Sequence, residues 1–414
     1  CRSGGEKMGR IICRENECTG CNACVNVCPK NAISTKKVLS GYFFMEIDGQ
    51  KCINCGKCEK VCPNNAEPQY HYPLQAYAGW ATSSTVQVHA ASGGAASSFY
   101  RYAVKNQIKF AGVQMNKEFE AHFKLGENEE DITVFRNSKY TFSFMDDIYK
   151  RIEQFLKEKQ RVLFIGLPCQ VAAIKNYVAK LTEKDNLITV DIVCHGTPPA
   201  NYLQEHIRAV AKKKRSAYDM CYFRDPLYET DKFVFSLYKD NEKNPDYHKR
   251  VNSDDLFQIG YHKSYIYREN CYNCKFAKRQ RVGDLTISDY WGEPLDKNAK
   301  QLSNILVNTE KGKVFLEKVK EDGLLTLYER DLEEPFRLDK QLNHPSVKTK
   351  EREKFISEYI NYQDYEKAAY KIFGKAAVKN RMIEILHLRE IRNSVSAMFT
   401  EQTKKKIKKI LGTK

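Results

Sequence analysis

The chain has 414 residues, 42% hydrophobic and 29% charged, the proportions of a folded chain of two or three domains rather than one small module. Its net charge is +16, and residues 375–414 hold 11 Lys or Arg against three Glu, so half of the excess sits in the last tenth. No apolar run approaches the ~18 residues that cross a bilayer, which excludes an integral helical membrane protein. The 15 cysteines are grouped rather than scattered, and the chain is too long for a typical secreted disulfide scaffold. They are read as reduced thiols holding metal in a reducing cytoplasm.

The first predicted unit, residues 9–68, is a duplication. Residues 18–32 read CTGCNACVNVCPKNA and residues 52–66 read CINCGKCEKVCPNNA, with eight of 15 positions identical at an offset of 34. Each copy has the C-x2-C-x2-C-x3-C-P spacing that bacterial-type ferredoxins use for [4Fe–4S] clusters. Three cysteines so spaced wrap one cube, and the fourth is carried away before a proline to ligate the other cube. One cluster is therefore assigned to Cys18, Cys21, Cys24 and Cys62, and the other to Cys52, Cys55, Cys58 and Cys28. Zinc is the competing metal, but its sites use two pairs with a long spacer rather than three cysteines in one tight run. Between the copies, residues 42–47 predict a hairpin strand ending at Asp48-Gly49, and residues 64–75 predict a linker.

From about Leu74 the pattern alternates. Strands are predicted over 77–82, 161–166 and 187–193, and helices over 93–106, 146–159, 170–180 and 198–214. That order predicts βαβ units and a mostly parallel sheet in an α/β domain over residues 74–345, following an α+β ferredoxin-like N-terminal domain. A helical basic extension is predicted over residues 350–414. Cys169 and Cys194 each follow a strand, so both fall at the rim where open α/β sheets bind ligands. With the Cys271-x-x-Cys274 pair they could bind a third cluster or a structural metal. Equally, Cys169 and Cys194 are read as small buried core residues. Cys1, Cys13 and Cys221 are left over as core or surface residues. Ser92-Gly93-Gly94 precedes a predicted helix and reads either as an anion cradle or as an ordinary tight turn. Neither G-x-G-x-x-G nor a Walker loop is present.

These motifs together resemble the beta subunit family of coenzyme F420 hydrogenase/dehydrogenase. The resemblance rests on the ferredoxin repeats and on Ala91-Ser-Gly-Gly94, Gly166-Leu-Pro-Cys-Gln170, Val193-Cys-His-Gly196, Phe223-Arg-Asp225, residues 271–277 and residues 281–292. It implies a bound FAD with a third [4Fe–4S] cluster beside it, held by Cys169, Cys194, Cys271 and Cys274. It also places Ser92, Gly93 and Gly94 near the flavin, with Gly283, Asp284 and Asp289 in another shared motif of the same pocket.

The expected activity is that of an iron–sulfur flavoprotein oxidoreductase. Clusters pass electrons singly and hydride carriers take them in pairs, so a flavin converts between them. The other side of the reaction is a redox partner protein, a soluble hydride carrier such as coenzyme F420, or an organic substrate. His195, beside Cys194, is the candidate proton donor; its plainer role is a hydrogen bond to a sulfide or a carbonyl. A second reading is an electron-relay subunit that docks a partner enzyme, as in cell-surface polysaccharide biosynthesis, without a substrate site of its own. The basic C-terminal helix, 375–411 with Lys404–Lys409, would suit peripheral contact with an anionic membrane. No nucleic-acid-binding module accompanies the charge, so nucleic acid is not expected as a partner.

Overall fold

The computed structural model describes residues 11–240, 242–293, 295 and 301–386. Cys1 and the Lys404–Lys409 run lie outside the described residues.

The two cysteine repeats fold as two copies of one device. Helix α1 (Ala23–Val27) begins after Asn22 and α2 (Lys57–Val61) after Gly56, both caps being left-handed with φ of 62° and 72°. Gly20 and Asn54, again 34 residues apart, are left-handed too, at 69° and 55°. Gly and Asn are the residues that take this conformation most cheaply, so each copy makes the same tight winding with the two residue types exchanged. Cys28 and Cys62 end their helices in extended backbone. Strands β1 (Ile33–Lys37) and β2 (Phe43–Ile47) pair antiparallel between the copies, with Ile33 opposite Ile47.

The main body is a nine-stranded sheet. In chain order its elements are β3 (Gln75–Ala81), α3 (Ser84–His89), α4 (Ala95–Lys105), β4 (Lys109–Met115), β5 (Ala121–Gly126), α5 (Glu129–Phe135) and β6 (Ser143–Phe144). There follow α6 (Ile148–Lys157), β7 (Val162–Gly166), α7 (Pro168–Val178), β8 (Leu187–Ile192) and α8 (Ala200–Lys214). A separate three-stranded sheet is made by β9 (Met220–Tyr222), β10 (Val234–Tyr238) and β11 (Tyr247–Arg250), before α9 (Leu256–His262). The chain then returns to the main sheet with β12 (Leu285–Asp289), β13 (Ser303–Val307), α10 (Glu310–Glu321) and β14 (Leu325–Arg330). It closes with α11 (Glu334–Leu338), α12 (Lys350–Tyr362) and α13 (Tyr365–Ile385).

The main sheet is mixed, which corrects the mostly parallel sheet expected from the sequence. In the order β14-β3-β13-β12-β8-β7-β4-β5-β6, only the central run β12-β8-β7-β4 and the edge pair β5-β6 are parallel. The pairs β14-β3, β3-β13, β13-β12 and β4-β5 are antiparallel. The cause at β4-β5 is connection length. Five residues link the strands, turned by Asn116, whose side chain accepts from Glu120 N at 2.8 Å. So short a link cannot make the crossover that parallel pairing needs.

Alternation along the central strands gives each face its own core. Val162 and Phe164 face α6 and α7, together with Cys21, Ala23 and Val61 of the repeats. Leu163, Ile165, Ile188 and Val190 face α4 and α10 through Phe99, Tyr102, Phe315 and Leu316. The cysteine-rich segment is fastened to the first face. Tyr149 donates to Cys21 O at 2.7 Å, Asn26 to Asp146 O at 2.8 Å and Asn176 to Ala66 O at 2.9 Å. No helix among the described residues is long and apolar enough to cross a membrane.

Candidate functional site

Twelve cysteines fall in groups of four around three cavities, with Cys13 as a fifth at the first. Cys18, Cys21, Cys24 and Cys62 line the first. Cys28, Cys52, Cys55 and Cys58 line the second. In both, the fourth cysteine comes from the other repeat, because the extended backbone after each short helix carries it across. Cys169, Cys194, Cys271 and Cys274 line a third cavity.

The third quartet is built by the parallel centre of the sheet. Cys169 stands in the first turn of α7 just past β7, and Cys194 just past β8; the two strands are adjacent and parallel. Pro168 opens α7, where its missing N–H costs nothing. Gln170 fixes the turn, accepting from Leu167 N at 3.0 Å and donating to Ser143 Oγ at 2.9 Å. The loop bearing Cys271 and Cys274 is held by Arg281, which donates to Phe276 O and Lys278 O, both at 3.2 Å.

Burial pushes the thiols of Cys169, Cys194 and Cys271 upward, and those of Cys21 and Cys274 up to about 11. An apolar wall that disfavours free thiolate is what a buried anionic centre must overcome, through metal and donor groups. Among the described residues, no group of three or more His, Cys, Asp or Glu gathers as a single ion would require. The quartets instead surround cavities, which suits a cube held at its corners. The all-thiol donor sets fit iron–sulfur clusters.

Residues 17–66 match the family model of the 4Fe–4S dicluster domain. Residues 159–333 match the model for the C terminus of the coenzyme F420 hydrogenase/dehydrogenase beta subunit. The chain is an iron–sulfur electron-transfer protein related to that beta subunit. The resemblance read from the motifs thus holds over both segments. A chain in the structure of the F420-reducing [NiFe] hydrogenase complex from Methanosarcina barkeri is similar at 16% identity, covering 62% of this chain and 82% of that one. Its TM-score is 0.42, too loose to bear on fold or function. A search of curated proteins found no match.

The residues singled out for the flavin fall into two places. Ser92 donates to Leu302 O at 2.7 Å, and Thr230 donates to Ala90 O at 2.7 Å. Gln301 bridges Thr230 and Arg224, and Arg224 grips Asp289 at 2.8 and 2.9 Å. The Ser-Gly-Gly turn, the Phe223-Arg-Asp225 motif and Asp289 are therefore joined at one end of the sheet. Gly283 and Asp284 lie at the opposite end of β12, in a buried network. Asp284 accepts from Thr189 N and Oγ1 and from Thr309 Oγ1, and Gly283 N donates to Asp191 Oδ2.

His195 lines the third cavity, and its carbonyl accepts from Ser346 at 2.7 Å. Burial lowers the imidazole's pKa against the opposing pull of Asp339 and Asp289. Cys13, set aside in the sequence, lines the first cavity as a free thiol within hydrogen-bonding reach of Cys18 and Cys62. Its position five residues ahead of the repeat has no counterpart in the second copy, so no spacing rule marks it. Cys221 is on β9, with its thiol pushed up by burial.

Proposed function

We propose that the chain is an iron–sulfur flavoprotein oxidoreductase, moving electrons between three [4Fe–4S] clusters and a hydride carrier or organic substrate by way of FAD. The observation that carries this reading is the gathering of twelve cysteines in fours around three cavities, two of which share Thr19 in their walls. A shared wall residue supports passage of electrons from the Cys18 centre to the Cys194 centre.

The chain's own groups have separable tasks. The four thiols at the carboxyl ends of β7 and β8 and on the 271–274 loop would hold the third cluster. Gly94, with φ of 91°, starts α4, whose first-turn amides lack intrahelical partners and suit the diphosphate of a dinucleotide. Asp289, held by Arg224, would orient the flavin's polar edge. His195 would hold a proton beside the third cavity. FAD would supply the exchange between single electrons and a hydride. Anaerobic protein should release FAD on denaturation, and reduction by a low-potential one-electron donor should bleach cluster and flavin absorbance together. Protein with iron but no flavin would instead support a relay subunit that docks a partner enzyme.

A further inference from the structure

Arg268 stands between the first and third cysteine quartets. It is 3% exposed, and its guanidinium lies 4.4 Å from the centre of the Phe43 ring and 4.5 Å from that of Phe142. Nη2 donates to Cys18 O at 3.2 Å and Phe43 O at 3.1 Å. Nε and Nη1 are buried and have no hydrogen-bond partner in the protein. The neighbouring Glu269 pairs instead with Lys348 at 2.7 Å and Arg352 at 3.6 Å.

A guanidinium cannot shed its charge, so a buried one with idle donors demands an anion close by. Two anionic centres would meet that demand. On one side is the loop of Cys18: a Cβ on Gly20 would stand 2.8 Å from both terminal guanidinium nitrogens. On the other is Cys271, whose backbone N–H donates to Arg268 O at 3.0 Å. Thr19 and Phe142 line the third cavity, and Thr19 lines the first as well.

We propose that Arg268 is the electrostatic link between these two centres, its fixed charge and unpartnered N–H groups stabilising an added electron on either side. Each reduction adds one negative charge to a centre, and passage moves that single electron from one centre to the other. The inference rests on the third-centre reading above. Arg268 is a positioning residue in this account and touches no substrate.

The test is EPR-monitored redox titration of the full-length, cluster-loaded protein with R268Q and R268K. R268Q should move the centres of Cys18 and Cys194 to lower potential and leave that of Cys52 in place, and R268K should restore most of the shift. Unmoved adjacent centres, or an equal shift of all three, would overturn the proposal. Iron is counted first on wild type: about eight atoms per chain would remove the third centre, leaving the potential of the Cys18 centre as the test of Arg268. Should R268Q fail to load, wild-type protein carrying ¹⁵N-arginine should show ¹⁵N coupling to a reduced centre in pulsed EPR; its absence would equally overturn the proposal.

Discussion

Arg281 Nη2 stands 2.5 Å from Asp191 Oδ1, with both side chains sealed from solvent. Asp191 also accepts from Gly283 N at 2.8 Å and Thr286 Oγ1 at 2.9 Å, so its carboxylate is fully used. The pair ties the loop after Cys274 to the strand that leads into Cys194. Breaking one partner of a buried pair leaves the other charge stranded, at a cost of about 3–5 kcal/mol. Asp191→Asn should therefore lose about that much stability in denaturant unfolding, and should lose iron from the third centre before the other two.

Interlocking of the repeats makes a prediction that isolated repeats would not. Cys62→Ser should perturb the centre of Cys18, Cys21 and Cys24, and Cys28→Ser the centre of Cys52, Cys55 and Cys58. Cys169→Ser or Cys274→Ser should lower iron by about four atoms per chain. Cys13→Ala should leave the iron count unchanged, since the cavity it lines already has four thiols. EPR of the reduced variants distinguishes the centres.

A buried histidine holds the C-terminal helices. His206 on α8 meets Glu366 of α13 at 2.5 Å and Asp255, which caps α9, at 2.9 Å, while Tyr247 donates to Asp255 at 2.6 Å. Burial works against the imidazolium, but the two carboxylates outweigh it and raise its pKa to about 10. A raised pKa stabilises the fold fully below the unfolded value of about 6.5, and the benefit is lost as pH climbs through about 10. His206→Gln should cost about 3–5 kcal/mol near pH 6. The gap in thermal stability between variant and wild type should narrow above that pH and close beyond about 10.

Gly93 is required by the sheet itself. A Cβ there would overlap Gly79 O and stand 2.5 Å from Ser303 N, both backbone atoms of β3 and β13. Gly93→Ala should destabilise the fold by about 1–3 kcal/mol, measured by denaturant unfolding. Ser92→Ala removes only the bond to Leu302 O and should cost about 1 kcal/mol.

The parts of the molecule legible in sequence were those with a rigid periodic signature. Cysteine spacing marked the repeats, and the short apolar runs 161–166 and 187–193 marked β7 and β8 within a residue or two. Strands β4, β5, β13 and β14 went unread. Lys109–Met115 mixes polar and apolar residues without strict alternation, whereas Ala121–Leu125 does alternate, a half-buried strand signal too short to stand out on its own. Their omission is why the sheet was expected to be mostly parallel. Arg268, Asp191 and Arg281 carry no spacing signal: their meaning comes from contacts spanning 90 to 250 residues.

Metal and sulfide analysis of anaerobically purified protein tests the central claim most directly. Three four-thiol centres predict about 12 iron and about 12 sulfide per chain, with a brown colour that bleaches on reduction. Colourless protein containing zinc in place of iron would contradict the account.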